Sequence, residues 1–412
     1  MCGAYLNMQI NQKSFIPYGK QQIDEDDISS VVNVLKSPYL TTGPAVTTFE
    51  NQLSSFTTAK HVVVVNSGTA ALHLAILSLD IGAGDWVIVP SITFLATANA
   101  VRLCGAEVIF ADVDATTGLM SGEILKDIID NNKDKKIKAV LLVHLAGQTE
   151  NMKKIHEISR DHGLYIIEDA CHALGGAYIE GNIKYPIGSC RYSDISIFSF
   201  HPVKTIAAGE GGALTTNNSV LEKRMRLFLN HGMTRVESDF LICENAFNKK
   251  NVNSWYYEMH ELGLNYRLSD INCALASSQL KKLKSFFLKR KALVNYYDST
   301  FLKESNNLIS PLKKLGYSDP SWHIYSVLID FEQIAIDRDE LMRDLKKNNI
   351  GTQVHYIPVY KQPYYKSRYG NIINKGAELY YKKTITLPLY VAMSVEDIDY
   401  IVSTLLPLLE KK

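Results

Sequence analysis

Short, continuously apolar runs rich in β-branched residues recur between residues 60 and 216. Because most of these runs do not alternate with polar residues, they predict strands covered on both faces, as in a mainly parallel sheet. Segments with helical spacing separate several of them, so the pattern indicates βαβ units. The seven runs are HVVVV (61–65), WVIVP (86–90), EVIFADV (107–113), AVLLVH (139–144), LYIIED (164–169), ISIFSF (195–200) and ALTT (213–216).

The pattern changes after about residue 270. A long stretch with apolar spacing near 3.6 and many lysines on its outer face predicts one long helix, and a strand over 323–331 and two further helices follow it. This order predicts a smaller C-terminal α/β domain. We expect an N-terminal segment at 1–23, a large domain at 24–275 and a small domain at 276–412. The long polar loop at 232–258 is of the kind that is functional or mobile.

Composition and charge exclude several classes of protein. Apolar residues make up 46% of the 412 residues and charged residues 21%, so the chain can bury a large core and is not intrinsically disordered. The net charge of +1 gives no reason to expect nucleic acid or an anionic membrane as a partner. No run approaches the roughly 18 apolar residues that span a bilayer. Residues 1–14 show no secretory signal pattern and are expected to be an extension.

The cysteines predict no metal cage and no disulfide framework. None of the six forms a C-x-x-C pair, and we expect reduced thiols in a cytoplasmic protein. The six are Cys2, Cys104, Cys171, Cys190, Cys243 and Cys273.

The segment NSGTAALHLA (66–75) follows the first predicted strand and opens a helix. Ser67, Gly68 and Thr69 stand at its expected N-terminus, where free backbone N–H groups and small hydroxyls suit a phosphate. An ordinary helix cap explains the same residues. Taken alone, this segment leaves both interpretations open.

Two residues of LYIIEDACHALG (164–175) are candidates for chemistry. Asp169 comes at the carboxyl end of a buried strand, where open α/β sheets bind ligands. A carboxylate there can hold a proton on a pyridinium nitrogen, which lets a pyridoxal ring act as an electron sink. His172 would orient Asp169 or touch the cofactor. A helix cap for Asp169 and a structural role for His172 are the alternatives.

The segment ISIFSFHPVKTIAAGEGGALTT (195–216) is the most informative one. Lys204 lies in a turn between two apolar strands, beside glycines that allow close backbone approach. A lysine there can have a lowered pKa and bind a carbonyl carbon covalently, whereas most lysines are solvated. Ser199, five residues earlier, could bind a phosphate oxygen. Phe94 ends another strand and could stack on a flat cofactor or belong to the core. The order of these signals along the chain is more specific than any one of them.

These segments together resemble the pyridoxal-phosphate-dependent sugar-nucleotide aminotransferases, which have the type I aspartate-aminotransferase fold. The resemblance runs from IPYGKQ near residue 16 to LPLY at 387–390 and includes NSGTAALHLA, IIEDACHALGG, SFHPVKTIAAGEGG and ELGLNYRLSDINCALASSQL. SFHPVK and VHYIPVY most resemble the C4 aminotransferases of pseudaminic acid biosynthesis. The resemblance implies pyridoxal 5′-phosphate as cofactor, L-glutamate as amino donor, a UDP-linked 4-keto-6-deoxy-N-acetylhexosamine as acceptor, and a homodimer with shared active sites.

The resemblance also implies residue roles. Lys204 would bind the cofactor covalently and move the proton, Asp169 would pair with the pyridine nitrogen with His172 close by, and Phe94 would stack on the ring. The phosphate would be held by Ser67, Gly68, Thr69 and Ser199, and by Asn265 of the neighbouring subunit. His355, Tyr360 and Arg267 would line the substrate pocket, with Arg267 a candidate for a carboxylate.

Four alternatives remain open. The nearest is a dehydratase with this cofactor; such enzymes resemble the family but have histidine in place of the lysine, so Lys204 favours transamination. The second is a transaminase for another nucleotide-linked 4-keto sugar, and the resemblance of VHYIPVY and SFHPVK argues against it. A non-catalytic regulator on the same fold is disfavoured by the neutral charge and the complete cofactor set. A nicotinamide oxidoreductase is disfavoured because no G-x-G-x-x-G occurs at a strand–helix junction.

Overall fold

A computed structural model describes residues 14–242, 244–249, 251–305 and 308–410. The expectation for residues 1–13, and Cys2 and Cys243 with it, lies outside the described residues. The helices are α1 Glu25–Leu35, α2 Pro44–Thr57, α3 Gly68–Ser78, α4 Leu95–Leu103, α5 Gly122–Asp130, α6 Met152–Asp161, α7 Ser219–Leu229, α8 Asp270–Glu304, α9 Arg338–Lys347, α10 Pro363–Tyr369, α11 Lys375–Lys383 and α12 Val395–Glu410.

The strands include all seven predicted runs. They are β1 His61–Val65, β2 Trp86–Pro90, β3 Glu107–Ala111, β4 Ile137–Val143, β5 Tyr165–Asp169, β6 Ala177–Glu180, β7 Ile183–Pro186, β8 Ile195–Ser199, β9 Gly212–Thr216, β10 Met233–Thr234, β11 Phe247–Asn248, β12 Asn251–Val252, β13 Glu258–Met259, β14 Ile309–Pro311, β15 Ser318–Asp319, β16 Tyr325–Ile329 and β17 Thr384–Leu387. Sequence analysis missed β6 and β7, as well as the short strands β10–β13 in the 232–258 loop.

The seven predicted runs form one sheet in the order β1-β9-β8-β5-β4-β2-β3. Only β9 runs opposite to its neighbours, so the prediction of a mainly parallel sheet is confirmed. Val63 and Val65 pack on one side of β1, and Val62 and Val64 on the other, each within a separate apolar cluster. Helices cover both faces, which explains why the strands read as continuous apolar runs.

The C-terminal part has its own antiparallel sheet, in the order β14-β16-β17. The described N-terminal residues belong to this part of the molecule, because Ile16 pairs with Ile350 and Leu389 N donates to Tyr18 O at 3.0 Å. The division at residues 275 and 276 remains a prediction, since α8 runs unbroken across it.

Helix α8 contacts α1, α2 and α12. The buried carboxylate of Asp270 accepts hydrogen bonds from Gly43 N at 2.8 Å and Ala45 N at 3.0 Å, and so caps the start of α2. Gln279 Nε2 donates to Asp27 Oδ2 at 2.6 Å, which ties α1 to the same helix. The two N-terminal helices are therefore held on α8 by buried polar contacts as well as by packing.

Candidate active site

The candidate residues meet at one edge of the seven-stranded sheet. Asp169 is the last residue of β5 and Ser199 the last residue of β8, and these neighbouring strands are parallel. Gly68 follows β1 and Phe94 follows β2 by only a few residues. Because β1, β2, β5 and β8 all point the same way, their carboxyl ends form a common crevice, as expected for ligand sites in open α/β sheets.

Asp169 is buried and held by two hydrogen bonds. Thr97 Oγ1 donates to its Oδ2 at 2.9 Å, and Cys171 N lies 3.3 Å from its Oδ1. The hydroxyls of Thr93 and Thr97 are 2.8 Å apart, so a short chain of hydroxyls extends from the carboxylate. These contacts orient the carboxylate, and a carboxylate held in this way can accept a further donor such as a protonated ring nitrogen.

Lys204 lies in the turn that follows β8. Its backbone N donates to His201 O at 2.8 Å, which closes the turn. Burial lowers the pKa of its amine, and the nearby Cys171 and Asp169 oppose this change. Burial raises the pKa of the Cys171 thiol, and Lys204 opposes this change. Burial and Lys204 both lower the pKa of the His172 ring. An amine with a lowered pKa is more often neutral, which is the form that attacks a carbonyl carbon.

A narrow cradle for an anion forms between α3 and β8. A Cβ added to Gly68 would lie 2.9 Å from Ser199 Cβ and 3.3 Å from its Oγ, so this space exists only because residue 68 is glycine. Ser67 caps α3 by accepting a hydrogen bond from Ala70 N at 3.1 Å. The cap interpretation therefore holds for the Ser67 hydroxyl, while Gly68 and Thr69 occupy the first turn, whose N–H groups suit a phosphate.

Aromatic and imidazole rings also lie close to Lys204 and Asp169. His172 is buried, and its Nε2 lies 3.3 Å from the Tyr356 hydroxyl. Burial and Lys204 lower the pKa of His355 to about 3, and His355 Nδ1 lies 2.9 Å from Thr386 Oγ1. Phe94 is 57% exposed and its ring centroid is 6.2 Å from that of Tyr356. A half-exposed ring at this mouth is available to a flat ligand.

The described hydrogen bonds of three predicted residues, Tyr360, Asn265 and Arg267, do not involve Asp169, Lys204 or the rings of His172 and Tyr356. Tyr360 is buried in the apolar core, where its hydroxyl donates to Glu378 at 2.8 Å, and its role in the substrate pocket stays a prediction. The exposed Asn265 accepts a hydrogen bond from Asn66 Nδ2 at 3.4 Å through its backbone oxygen. Arg267 forms a backbone β-bridge with Val65, the last residue of β1, and its Nη1 donates to Asn230 Oδ1.

Sequence analysis missed Thr97, Cys171, Tyr356 and His323 as residues of this region. Thr97 lies four residues after Thr93, a helical spacing that could have placed both hydroxyls together. Tyr356 lies inside the VHYIPVY segment and was overlooked beside its neighbour His355. No local signal points to His323, because its contact with His172 joins two distant segments.

The described residues contain neither a metal-binding cluster nor a membrane-spanning helix. Among residues 14–242, 244–249, 251–305 and 308–410, no three His, Cys, Asp or Glu residues are grouped so that they could hold a metal ion. Within the same ranges, no helix has the length and apolar character needed to cross a membrane.

Residues 21–406 match the DegT/DnrJ/EryC1/StrS aminotransferase family. The chain belongs to this family. Spore coat polysaccharide biosynthesis protein SpsC of Bacillus subtilis is 36% identical over 94% of this chain and 95% of its own length. The UDP-4-amino-4,6-dideoxy-N-acetyl-beta-L-altrosamine transaminase of Campylobacter jejuni serotype O:23/36 is 36% identical over 96% of this chain and 98% of its own.

Solved structures of DegT/DnrJ/EryC1/StrS-type aminotransferases share this fold. Helicobacter pylori PseC, an aminotransferase involved in the biosynthesis of pseudoaminic acid, superposes with a TM-score of 0.85 at 30% identity, over 96% of this chain and all of that one. Bacillus subtilis NtdA with bound cofactor PMP superposes with a TM-score of 0.78 at 26% identity, over 94% of this chain and 83% of that one. The chain is thus a pyridoxal-phosphate-dependent transaminase of the type I fold, as the sequence resemblance implied.

The crevice fits this cofactor. The glycine cradle at Gly68 would be filled by a Cβ, and Asp169 can face a ring nitrogen. Nδ1 of His172 is buried and has no hydrogen-bond partner among the described residues. An unpartnered buried ring nitrogen beside Lys204 is the kind of atom that a bound group covers.

Proposed function

We propose that this transaminase moves an amino group from L-glutamate to the C4 ketone of a UDP-linked 4-keto-6-deoxy-N-acetylhexosamine, in the manner of pseudaminic acid biosynthesis. The main support is the juxtaposition of Lys204 and Asp169 at the sheet edge, together with 36% identity to the altrosamine transaminase over nearly the full length. A different nucleotide-linked 4-keto sugar is the second candidate, because SpsC is equally similar.

In this proposal each residue acts on a stated atom. When bound, pyridoxal phosphate supplies an electron sink for the electron pair left by a departing proton. Lys204 would hold the cofactor covalently, and its amine, once free, would take the proton from the substrate carbon. Asp169 would keep a proton on the ring nitrogen, and Thr97 keeps the carboxylate oriented. Over the whole reaction L-glutamate would exchange its amino group for the oxygen of the sugar's C4 ketone, so that it leaves as 2-oxoglutarate and the sugar carries the amine.

The remaining roles concern binding. Gly68, Thr69 and Ser199 would hold the phosphate by backbone N–H groups and hydroxyls, and Phe94 and His172 would contact the ring. His355, Tyr360 and Arg267 would contact the substrate. Burial, assisted by Lys204, lowers the pKa values of the buried His172 and His355, which favours their neutral forms. Neutral rings can accept a hydrogen bond from a sugar hydroxyl, which protonated rings cannot.

The first experiment tests Lys204. Borohydride reduction of the holoenzyme followed by peptide mapping should place the cofactor label on Lys204. Lys204→Ala should lose both turnover and the visible absorbance of the covalently bound cofactor, whereas the exposed Lys126→Ala should keep both. A label on another lysine would refute the assignment.

The second experiment tests the substrate. Purified enzyme is incubated with L-glutamate and a panel of UDP-linked 4-keto sugars, and NMR determines the configuration at C4 of each product. The proposal expects the highest kcat/KM with the 4-keto precursor of the altrosamine product. A higher value with a gluco-configured product would favour the second candidate.

The proposal includes a homodimer in the cytoplasm. Asn265 is exposed, and its backbone oxygen accepts a hydrogen bond from Asn66, which directly precedes Ser67. In the proposed homodimer, Asn265 of one subunit would contact the phosphate bound in the other. Cys104, Cys171, Cys190 and Cys273 are free cysteines, which suits a reducing compartment. Mixing the inactive Lys204→Ala and Asn265→Ala variants should restore partial activity once subunits exchange. Absence of recovery after exchange has been verified would refute the shared site.

A further inference from the structure

His323 lies directly against His172 although the two come from different sheets. The ring centroids are 4.3 Å apart, with 50° between the ring planes. His172 follows β5 in the large sheet, and His323 precedes β16 in the small one. Both side chains are buried. His323 therefore lies behind His172, and the contact joins the cofactor crevice to the C-terminal part of the molecule.

Tyr356 holds His172 through Nε2 only, and no hydrogen bond to His323 is described for this ring. Within the described residues, Nδ1 of His172 and Nδ1 of His323 are both buried without a hydrogen-bond partner. Burial, and then the charge of Lys204 together with other neighbouring bases, lowers both pKa values well below the usual range. The contact between the two rings, each with an unpartnered nitrogen, is one of packing. The orientation of His172 thus depends on His323 behind it as well as on Tyr356.

A buried arginine fixes the backbone that carries His323. Arg290, from the middle of α8, is 2% exposed, and its Nη1 donates to His323 O at 3.0 Å and to Leu389 O at 3.1 Å. Burial lowers its pKa to about 10. Every acceptor in its described hydrogen bonds is a carbonyl oxygen. A buried cation is costly to keep, so its position on the backbone beside His323 calls for a specific use.

The same short segment is also fixed from the other side. Ser321 Oγ donates to Leu174 O at 2.7 Å, two residues after His172. Gly147 has φ +92°, and a Cβ added there would lie 2.3 Å from Ser321 O and 2.9 Å from His172 O. Only glycine lets these backbones come so close. The segment 321–323 is therefore clamped between Arg290 and the loop that carries His172.

We propose that His323 is a positioning residue for His172, and that Arg290 fixes His323 through its backbone, so that His172 keeps one face toward the cofactor and the reacting carbon. This inference rests on the proposed roles of Lys204 and His172. His323 and Arg290 themselves act through His172 and take no part in proton transfer. Displacement of a positioned group by about 1 Å can cost on the order of 100-fold in rate.

The experiment compares His323→Ala, which removes the ring, with His323→Phe, which keeps a flat ring in its place. We expect His323→Ala to lower kcat on the order of 10-fold, to change both KM values less than about threefold, and to shift the absorbance maximum of the bound cofactor. His323→Phe should restore kcat to within about threefold and return the absorbance maximum to its original position. His156→Ala, at a partly buried histidine bonded to Tyr192 O, is the matched control and should change neither.

Arg290→Lys supplies the second measurement, since lysine keeps the charge but lacks the guanidinium Nη1 that donates to the carbonyls of His323 and Leu389. It should give the same spectral shift as His323→Ala. The double variant should be no slower than the slower single variant, because both act through one contact.

Specific results would overturn the inference. If His323→Ala keeps the wild-type kcat and cofactor absorbance maximum, whether or not its free energy of unfolding falls, His323 has no positioning role. If His323→Phe is as slow as His323→Ala, a ring nitrogen and not ring packing is required. In each case borohydride labelling of Lys204 in the wild-type enzyme shows separately whether the proposed function stands.

Discussion

The buried carboxylate of Glu168 offers the sharpest test of the energetics beside the active site. It directly precedes Asp169 and is fully buried on the other face of β5. Ser196 Oγ donates to its Oε1 at 3.0 Å, and His144 Nε2 lies 2.6 Å from its Oε2; short hydrogen bonds from the hydroxyls of Tyr178 and Ser193 complete its contacts. The perturbation is Glu168→Leu, with Glu168→Gln as the isosteric comparison.

The expected magnitudes follow from these contacts. Leucine leaves several buried donors without an acceptor, and each buried donor left unsatisfied costs about 1–3 kcal/mol, so we expect Glu168→Leu to lose at least about 3 kcal/mol. Glutamine keeps the volume and one acceptor oxygen, and the hydroxyls can rotate to accept from its NH₂ group. We therefore expect a loss of about 1–3 kcal/mol for Glu168→Gln, mostly from imperfect pairing.

The assay is urea unfolding at pH 7 followed by far-UV circular dichroism, with the midpoint converted to free energy through the slope. Glu180, which pairs with Arg191 and Lys153 at the surface, gives the control variant Glu180→Gln, for which we expect little change. If Glu168→Leu were as stable as the wild type, the donors around residue 168 would have found other partners, and the reasoning would be refuted.

The pH dependence of this loss has a definite sign. Burial alone would raise the pKa of Glu168, but hydrogen bonds from His144, Ser193 and Tyr178 outweigh it and hold the pKa below its usual value of 4.5. A carboxylate with a lowered folded-state pKa contributes stability that is complete above the unfolded pKa and is lost as the pH falls through the folded pKa. The difference between wild type and Glu168→Gln should therefore be constant near neutrality and shrink below about pH 4.5.

Three further predictions concern the crevice. Thr97→Val removes the hydroxyl bonded to Asp169 and should lower kcat about 10- to 100-fold, because a hydrogen bond to a charged group contributes about 1.5–3 kcal/mol; wild-type kcat in steady-state assays would contradict it. Asp169→Asn should retain bound cofactor in absorbance scans but lose at least about 100-fold in kcat, and an unaltered rate would mean that another group protonates the ring. Gly68→Ala places a Cβ 2.9 Å from Ser199 Cβ, and titration of the apoenzyme with cofactor should show about tenfold weaker binding. Gly316→Ala is the control, because a Cβ there meets nothing within 4 Å, and it should bind the cofactor as the wild type does. Equal affinities of the two variants would contradict the cradle.

The large sheet could be predicted because its strands are buried on both faces. Each of its seven strands appears as an apolar run, and the helices between them have helical spacing. The hairpin of β6 and β7 escaped prediction for the opposite reason. Ile183 and Lys184 are exposed, and β6 pairs with β15, more than a hundred residues away. No local pattern reports a pairing of this kind.

The same contrast between local pattern and long-range packing holds for the residues of the candidate site. Asp169 and Ser199 could be predicted because a polar residue at the end of an apolar strand marks the ligand-binding edge of an α/β sheet. His323 could not, because it reaches the crevice only when the C-terminal part of the molecule packs against the loop after β5. Tyr356 lies in the VHYIPVY segment, so a signal for it was present and was overlooked. Tyr360, four positions from Tyr356, donates to Glu378 in the apolar core, and its role in the substrate pocket stays a prediction.

The length of α8 has a mechanical consequence. Its 35 residues extend over about 52 Å, and it carries both the Asp270 carboxylate that holds the start of α2 and the stacked rings of Tyr297 and Phe301. Because one unbroken helix contacts both α2 and α12, these two parts of the molecule cannot move apart as independent units unless α8 bends. Arg290, near the middle of the helix, ties His323 and Leu389 to it through their carbonyl oxygens.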